Sequence, residues 1–152
     1  MTASQSFLVY QPKSEIIRQD DIDMYVSLRS LPAGNGVDVI QKALAKDFYE
    51  PTSFLHMGVM TAQTSHDMDD VLEWIFDECN GYGSGKLRRT TIRPSPSMSV
   101  GDIVLCLQLR RAFVVLSFGW QELDIELKLN GWRSSLVCNG VVSDRPSLKQ
   151  SA

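Results

Sequence analysis

The chain has 152 residues, 43% hydrophobic and 22% charged, enough to bury roughly two thirds of its unfolded surface in one domain and unlike a disordered or fibrous chain. Its 18 acids against 15 bases leave a net charge of −3, too weak a field to attract phosphate backbones and too sparse to imitate a nucleic acid. The longest apolar run, around Ile103–Leu107, is far below the roughly 20 residues that span a bilayer. Met1–Phe7 lacks a basic region followed by an apolar segment, so a cytoplasmic, membrane-free protein is expected.

In chain order, residues 6–12 (SFLVYQP) read as a strand ending at Pro12. Residues 13–30 mix Ile16, Ile17, Ile22, Met24, Tyr25, Val26 and Leu28 with many charges and have no assignable period. Leu31–Gly36 is a loop. Val37, Ile40, Leu44 and Phe48 then recur at helical spacing, and Glu50-Pro51 is expected to end that helix. Residues 53–62 follow as a strand with a bulge at Gly58. The clearest helix is 66–79, where Met68, Val71, Leu72, Ile75, Phe76 and Cys79 share one arc and Asp69, Asp70, Glu73 and Asp77 the other. Ser65 or Asp67 can cap its start and Asn80-Gly81 its end.

A connector of about twenty residues then runs to the next strand, long enough to suggest a role of its own. Pro94 and Pro96 restrict it in the unfolded state, and Val100-Gly101-Asp102 turns it into the sheet. Strands are expected at 103–109, 112–118, 123–129 and 132–138, with hairpin turns at Asn130-Gly131 and Asn139-Gly140 and the start of a further strand at Val141-Val142. Residues 143–152 have nothing to pack against. The sum is one α+β domain over residues 1–142, an antiparallel sheet of about five or six strands packed with two amphipathic helices.

Several short segments together carry a resemblance. They are Asp67-Met68-Asp69-Asp70-Val71-Leu72, then Asn80, then Ser97-Met98-Ser99-Val100-Gly101-Asp102-Ile103-Val104, and last Phe118-Gly119-Trp120-Gln121-Glu122-Leu123. Over about residues 54–123 this order resembles a family of small uncharacterised proteins of phages, plasmids and integrated elements, and it is similar to the terminal part of YodL-like domains. The chain departs from the pattern at Pro96, where an arginine commonly stands; Arg93 lies three positions earlier. The resemblance implies a mobile-element origin in a bacterial host cell and no known activity.

Motifs for chemistry are weak. The run Asn80–Arg89 (NGYGSGKLRR) is one residue short of a phosphate-cradling loop, has Leu87 where a hydroxyl would hold magnesium, and follows a helix. No hydrolase motif occurs, His56 reads as a half-buried strand residue and His66 as an exposed residue near a helix start. The acids of helix 66–79 have no carboxylate-histidine cluster to join, so no metal and no cofactor is expected. Cys79, Cys106 and Cys138 are too far apart in sequence for a metal knuckle and read as reduced, buried thiols.

Two binding functions stay open. In the first, Trp74, Asp70, Glu73 and Asp77 on the acidic helix act with Tyr82, Lys86, Arg88, Arg89 and Arg93 on the connector as a protein-binding surface. The partner would be a host protein or nucleoprotein defence complex, such as CRISPR-Cas or restriction machinery, and the chain a non-catalytic inhibitor of it. In the second, Lys86, Arg88, Arg89, Arg93, Arg110 and Arg111 form a basic surface for nucleic acid. Trp120 and Trp132 are expected at the edge of the core.

Overall fold

In a computed structural model that describes residues 3–13, 22–31, 37–60, 68–81, 87–93, 97–117, 119–130 and 133–142, the chain builds one antiparallel sheet with helices on both faces. The elements in chain order are β1 (Ala3–Pro12), α1 (Ile22–Arg29), α2 (Val37–Ala45), β2 (Tyr49–Met60), α3 (Met68–Cys79), β3 (Leu87–Thr91), β4 (Ile103–Cys106), β5 (Arg111–Val115), β6 (Trp120–Asn130) and β7 (Arg133–Val141). The seven strands lie in the order β3-β2-β1-β4-β5-β6-β7, each neighbour antiparallel to the next. The α+β class is as the sequence indicates. Two elements exceed expectation among the described residues: β3 sits inside the connector, and α1 inside the stretch without a readable period.

Two-residue alternation divides the core between the faces. Phe7 and Val9 of β1, Val104 and Cys106 of β4, and Phe113 and Val115 of β5 point to one face, where Val71, Leu72, Ile75 and Cys79 of α3 cover them. Tyr10, Ile103, Leu105, Ala112, Val114 and Leu123 point to the other, where Leu28 at the end of α1 and Ile40 and Ala43 of α2 complete a second cluster. Because β4 and β5 are covered on both sides, they read as unbroken apolar runs rather than alternating ones. Phe7 and Phe113 are fully buried, and truncating either to alanine is expected to cost about 3–5 kcal/mol.

Helix α2 ends differently from expectation. Asp47 adopts φ 58°, the Phe48 amide donates to the Ala43 carbonyl at 2.9 Å and the Asp47 amide to the Leu44 carbonyl at 3.1 Å. That is a left-handed C-terminal cap, and it stops the helix before Glu50-Pro51, which belong to β2 opposite Gln11 and Tyr10. Pro51 is tolerated because β3 joins β2 only from Ser53 onward, leaving that end of β2 as an edge. A bulge does lie between Met57 and Met60, around Gly58, and a second, unforeseen one at Thr52.

The hairpin signals divide. Asn130 pairs with Arg133, so β6 and β7 are joined through residues 131 and 132, which together with the side chain of Asn130 fall outside the described ones. Asn139-Gly140 is no turn: it lies within β7, where the register slips opposite Asp124 and Ile125. Gly140 takes φ 145° there, so the glycine serves a bulge, the other common use of a flexible residue in a strand.

The connector is fastened by two polar side chains, a half-buried Asn80 and a buried Asp102. Asn80, just past α3, accepts the Met98 amide on Oδ1 at 2.7 Å and donates from Nδ2 to the Met98 carbonyl at 3.3 Å. Asp102 accepts the Ser99 amide at 2.9 Å, the Gln11 amide nitrogen Nε2 at 2.8 Å and the Arg29 guanidinium at 2.5 Å. Its side chain is wholly enclosed, and burial pushes its carboxyl up to about 6, against the opposing pull of Arg29. Gly101 between them takes φ 95°, and a Cβ there would strike the Leu28 carbonyl. The Gly101 carbonyl accepts the buried Tyr49 hydroxyl at 2.5 Å. One short turn thereby joins α1, β1, β2 and β4.

Candidate functional site

Helix α3 lies on the sheet with its apolar arc inward, which fixes what its other side presents. Phe76 meets Trp120 edge to face at 6.4 Å between ring centroids, and Met68 and Trp74 pack against the core while remaining partly open. Asp70, Glu73 and Asp77 are exposed. Their spacing, with Trp74, is i, i+3, i+4 and i+7, the neighbours of one helix stripe. The last turn holds no basic residue, so Asp77 and Glu78 stand where the helix macrodipole disfavours negative charge. Asp70, in the first turn, is favoured by the same dipole, so helix stability accounts for one end of the stripe and not for the other.

The cations of the connector do not join that stripe as one patch. Residues 87–91 form β3, so Arg88 and Arg89 point to opposite faces of the sheet. Arg88 lies opposite His56 on the exposed side, while Arg89 is half-buried on the α3 side and donates from Nε to the Ser53 hydroxyl at 3.1 Å. Arg93 is exposed and paired with Glu50 at 3.3 Å. Tyr82 and Lys86 lie outside the described residues, as do His66 and Trp132.

The proposed phosphate contacts separate in the same way. Arg111 makes two hydrogen bonds to Glu122, at 3.0 and 2.8 Å, and its guanidinium lies 5.1 Å from the Phe113 ring centroid. That arrangement commits the charge of a half-buried side chain to an internal partner. Arg110, in the turn after β4, is exposed with φ 53°.

The remaining candidates have structural work. His56 is exposed rather than half-buried, because β2 carries it outward beside the edge strand, and its Nδ1 lies 3.2 Å from the Ser6 hydroxyl. Trp120 is buried in the core rather than at its edge. The three cysteines are free and buried. Burial pushes the Cys79 thiol up to about 11 and raises those of Cys106 and Cys138, which keeps all three protonated and unreactive at neutral pH. Among the described residues no group of His, Cys, Asp and Glu side chains is arranged to hold a metal ion, and no helix is long and apolar enough to cross a membrane.

Compared with known proteins, the chain matches no family model, no curated protein and no solved structure.

Proposed function

We propose that the protein is a non-catalytic binding protein that docks the exposed stripe of α3 onto a basic surface of a partner. The observation that carries this reading is the stripe itself: Asp70, Glu73 and Asp77 exposed around a partly open Trp74, on a helix held to the sheet by Val71, Leu72, Ile75 and Cys79. Carboxylates on a rigid helix need little reordering on binding, which lowers the entropic cost of association. They also steer encounter with a positive partner.

A tryptophan among charges gives such a surface an anchor. The resemblance of residues 67–72, 97–104 and 118–123 to phage and plasmid proteins supports a partner class. It would be a host defence complex, CRISPR-Cas or restriction, on which the local acid stripe docks against a basic protein surface and blocks access to it. Inhibition would follow from occlusion, with no bond made or broken.

Co-purification of the tagged chain with such complexes from a bacterial host lysate tests the reading. Binding should weaken steeply with added salt and be lost in the triple variant Asp70→Lys, Glu73→Lys, Asp77→Lys. Capture that persists in the triple variant would end the proposed role of α3.

A further inference from the structure

A second surface, on the opposite face from α3, follows from unequal strand lengths. The hairpin of β4 and β5 is short: β4 ends at Cys106, β5 begins at Arg111, and pairing of β5 with β6 begins at Ala112 opposite Leu123. Strand β6 continues to Asn130 and pairs with β7 throughout. From Ile125 onward, β6 therefore has a strand neighbour on its β7 side alone among the described residues.

Hydrogen-bond direction alternates along a strand, so the open groups can be assigned. The Glu122 carbonyl accepts the Val142 amide on the β7 side, which directs the N–H and C=O of Ile125 and Leu127 toward the vacant side. Cys138, opposite Ile125, agrees: its carbonyl points away from β6 and accepts Gln41 Nε2 at 3.2 Å. The outer edge of β7 is thereby capped by α2. The edge of β1 facing the same notch is capped too, since Ser6 donates its amide to Gln108 Oε1 at 2.6 Å and accepts the Leu107 amide at 3.0 Å. No such cap meets Ile125 and Leu127 among the described residues.

Beside this uncapped edge lies a cavity of about 400 Å³ lined by Leu105, Leu107, Ile125 and Leu127. Leu127 is 44% exposed and Leu109 in the adjoining turn 46%. Arg110 supplies a cation to the lining. Glu126 also borders it, but its carboxylate accepts Asn139 Nδ2 at 2.7 Å on the other face of the sheet.

We propose that the inner edge of β6 at Ile125–Leu127 accepts an extended segment of a partner protein, added as a strand in line with β5. Its alternate side chains are apolar, to fill the cavity, and an acidic side chain meets Arg110. Natural sheets block exposed edges with charge, bulges or covering elements; β3 has arginines, β7 a bulge and Gln41, β1 has Gln108. An unblocked edge above an apolar cavity is the geometry of strand addition, in which backbone bonds give affinity and alternate pockets give selectivity.

The test uses the full-length chain and a fluorescent peptide of about eight residues, alternating valine and threonine with one aspartate. Three results are expected together. The peptide binds in the micromolar range, the Ile125 and Leu127 amides exchange freely alone and become protected with peptide, and binding falls about tenfold or more on N-methylation of alternate peptide nitrogens. Arg110→Glu, with fold checked by circular dichroism, should weaken this peptide and favour one with lysine in place of aspartate.

Equal binding by the N-methylated peptide, or no binding at millimolar concentration, overturns the proposal. Protection of the two amides in the protein alone would overturn it as well. If that protection grows with protein concentration, a second copy fills the edge; if it does not, the chain itself does. The α3 variants should leave peptide binding unchanged, which separates this surface from the one proposed above.

Discussion

The enclosed turn around Asp102 and the open stripe of α3 use the same chemical group for opposite ends. Asp102 has no exposure and its carboxylate is met by Arg29, Gln11 and the Ser99 amide, so its charge is spent on joining α1, β1 and β4. Asp70, Glu73 and Asp77 are exposed and sit along one side of a helix whose other side is buried. Residues near this turn and along β6 serve the buried side as well. Asn80, Ser99, Gly101, Asp102, Trp120 and Glu122 all hold the fold together.

The largest expected effect is on the enclosed side. Asp102→Ala leaves the Arg29 guanidinium and the Ser99 amide without their partner, and breaking a buried ion pair by removing one member costs about 3–5 kcal/mol. Gly101→Ala adds a Cβ against the Leu28 carbonyl at φ 95° and is expected to cost roughly 3 kcal/mol. Urea denaturation followed by tryptophan fluorescence measures both. A loss below about 1 kcal/mol for Asp102→Ala would mean that hydrophobic packing alone holds the connector, and the contrast between the two regions would lose its basis.

The same carboxyl makes stability depend on pH. Its folded value of about 6 exceeds the ordinary 3.8, so the folded chain binds a proton more tightly than the unfolded one between those limits. Its contribution therefore increases as pH falls from 6 toward 4, by on the order of 1–3 kcal/mol, and is lost as pH rises through 6. Comparison with a variant that lacks the carboxyl isolates this one group, so the measurement is a difference. The stability gap between the native chain and Asp102→Asn should widen as pH is lowered through this window, and a gap that stays constant would show that burial does not raise this carboxyl.

Asn80→Ala follows in size. The side chain bridges the end of α3 to both backbone groups of Met98, and losing a paired, partly buried amide costs about 1–3 kcal/mol. The loss should appear as faster exchange of the Met98 amide before global unfolding, since the bond fastens a connector and not the core. Uniform loss across the sheet would instead make Asn80 part of the central structure.

Periodicity made much of this fold legible, and its failures have physical causes. Helix α3 could be read because Val71, Leu72, Ile75 and Cys79 are buried on one arc and acids fill the other. In α1 the described apolar residues spread around the axis: Val26 is 56% exposed and, among the described side chains, only Leu28 is fully buried, near the helix end. Its anchoring comes from Arg29 reaching Asp102, a contact across the chain that no local pattern encodes. Strand β3 was hidden because four of its five positions are polar, as suits an edge strand. The acid stripe was visible from the helical wheel, but the grouping of Arg88 with Arg89 was an artefact of reading a strand as a loop. The notch beside β6 left one faint signal, a long alternating run next to a short apolar one, which registers only when the pairing is known.

The smallest expected change in stability is also the sharpest test of the comparison. Asp77→Lys replaces an acid in the last turn of α3 by a cation, which the helix macrodipole favours there by about 0.3–1 kcal/mol. Because Asp77 is exposed, salt and solvent screen that gain toward the lower figure. Thermal denaturation should therefore show a slightly more stable protein. If the stripe exists to meet a basic partner, the same substitution should weaken capture of the partner, and Asp70→Lys near the start of the helix should weaken it too while slightly destabilising the fold. Opposite effects on folding and a common effect on binding would separate function from stability within one helix. A variant that gains stability and keeps full binding would make Asp77 an ordinary solvated acid, and the stripe would then extend no further than Glu73 and Trp74.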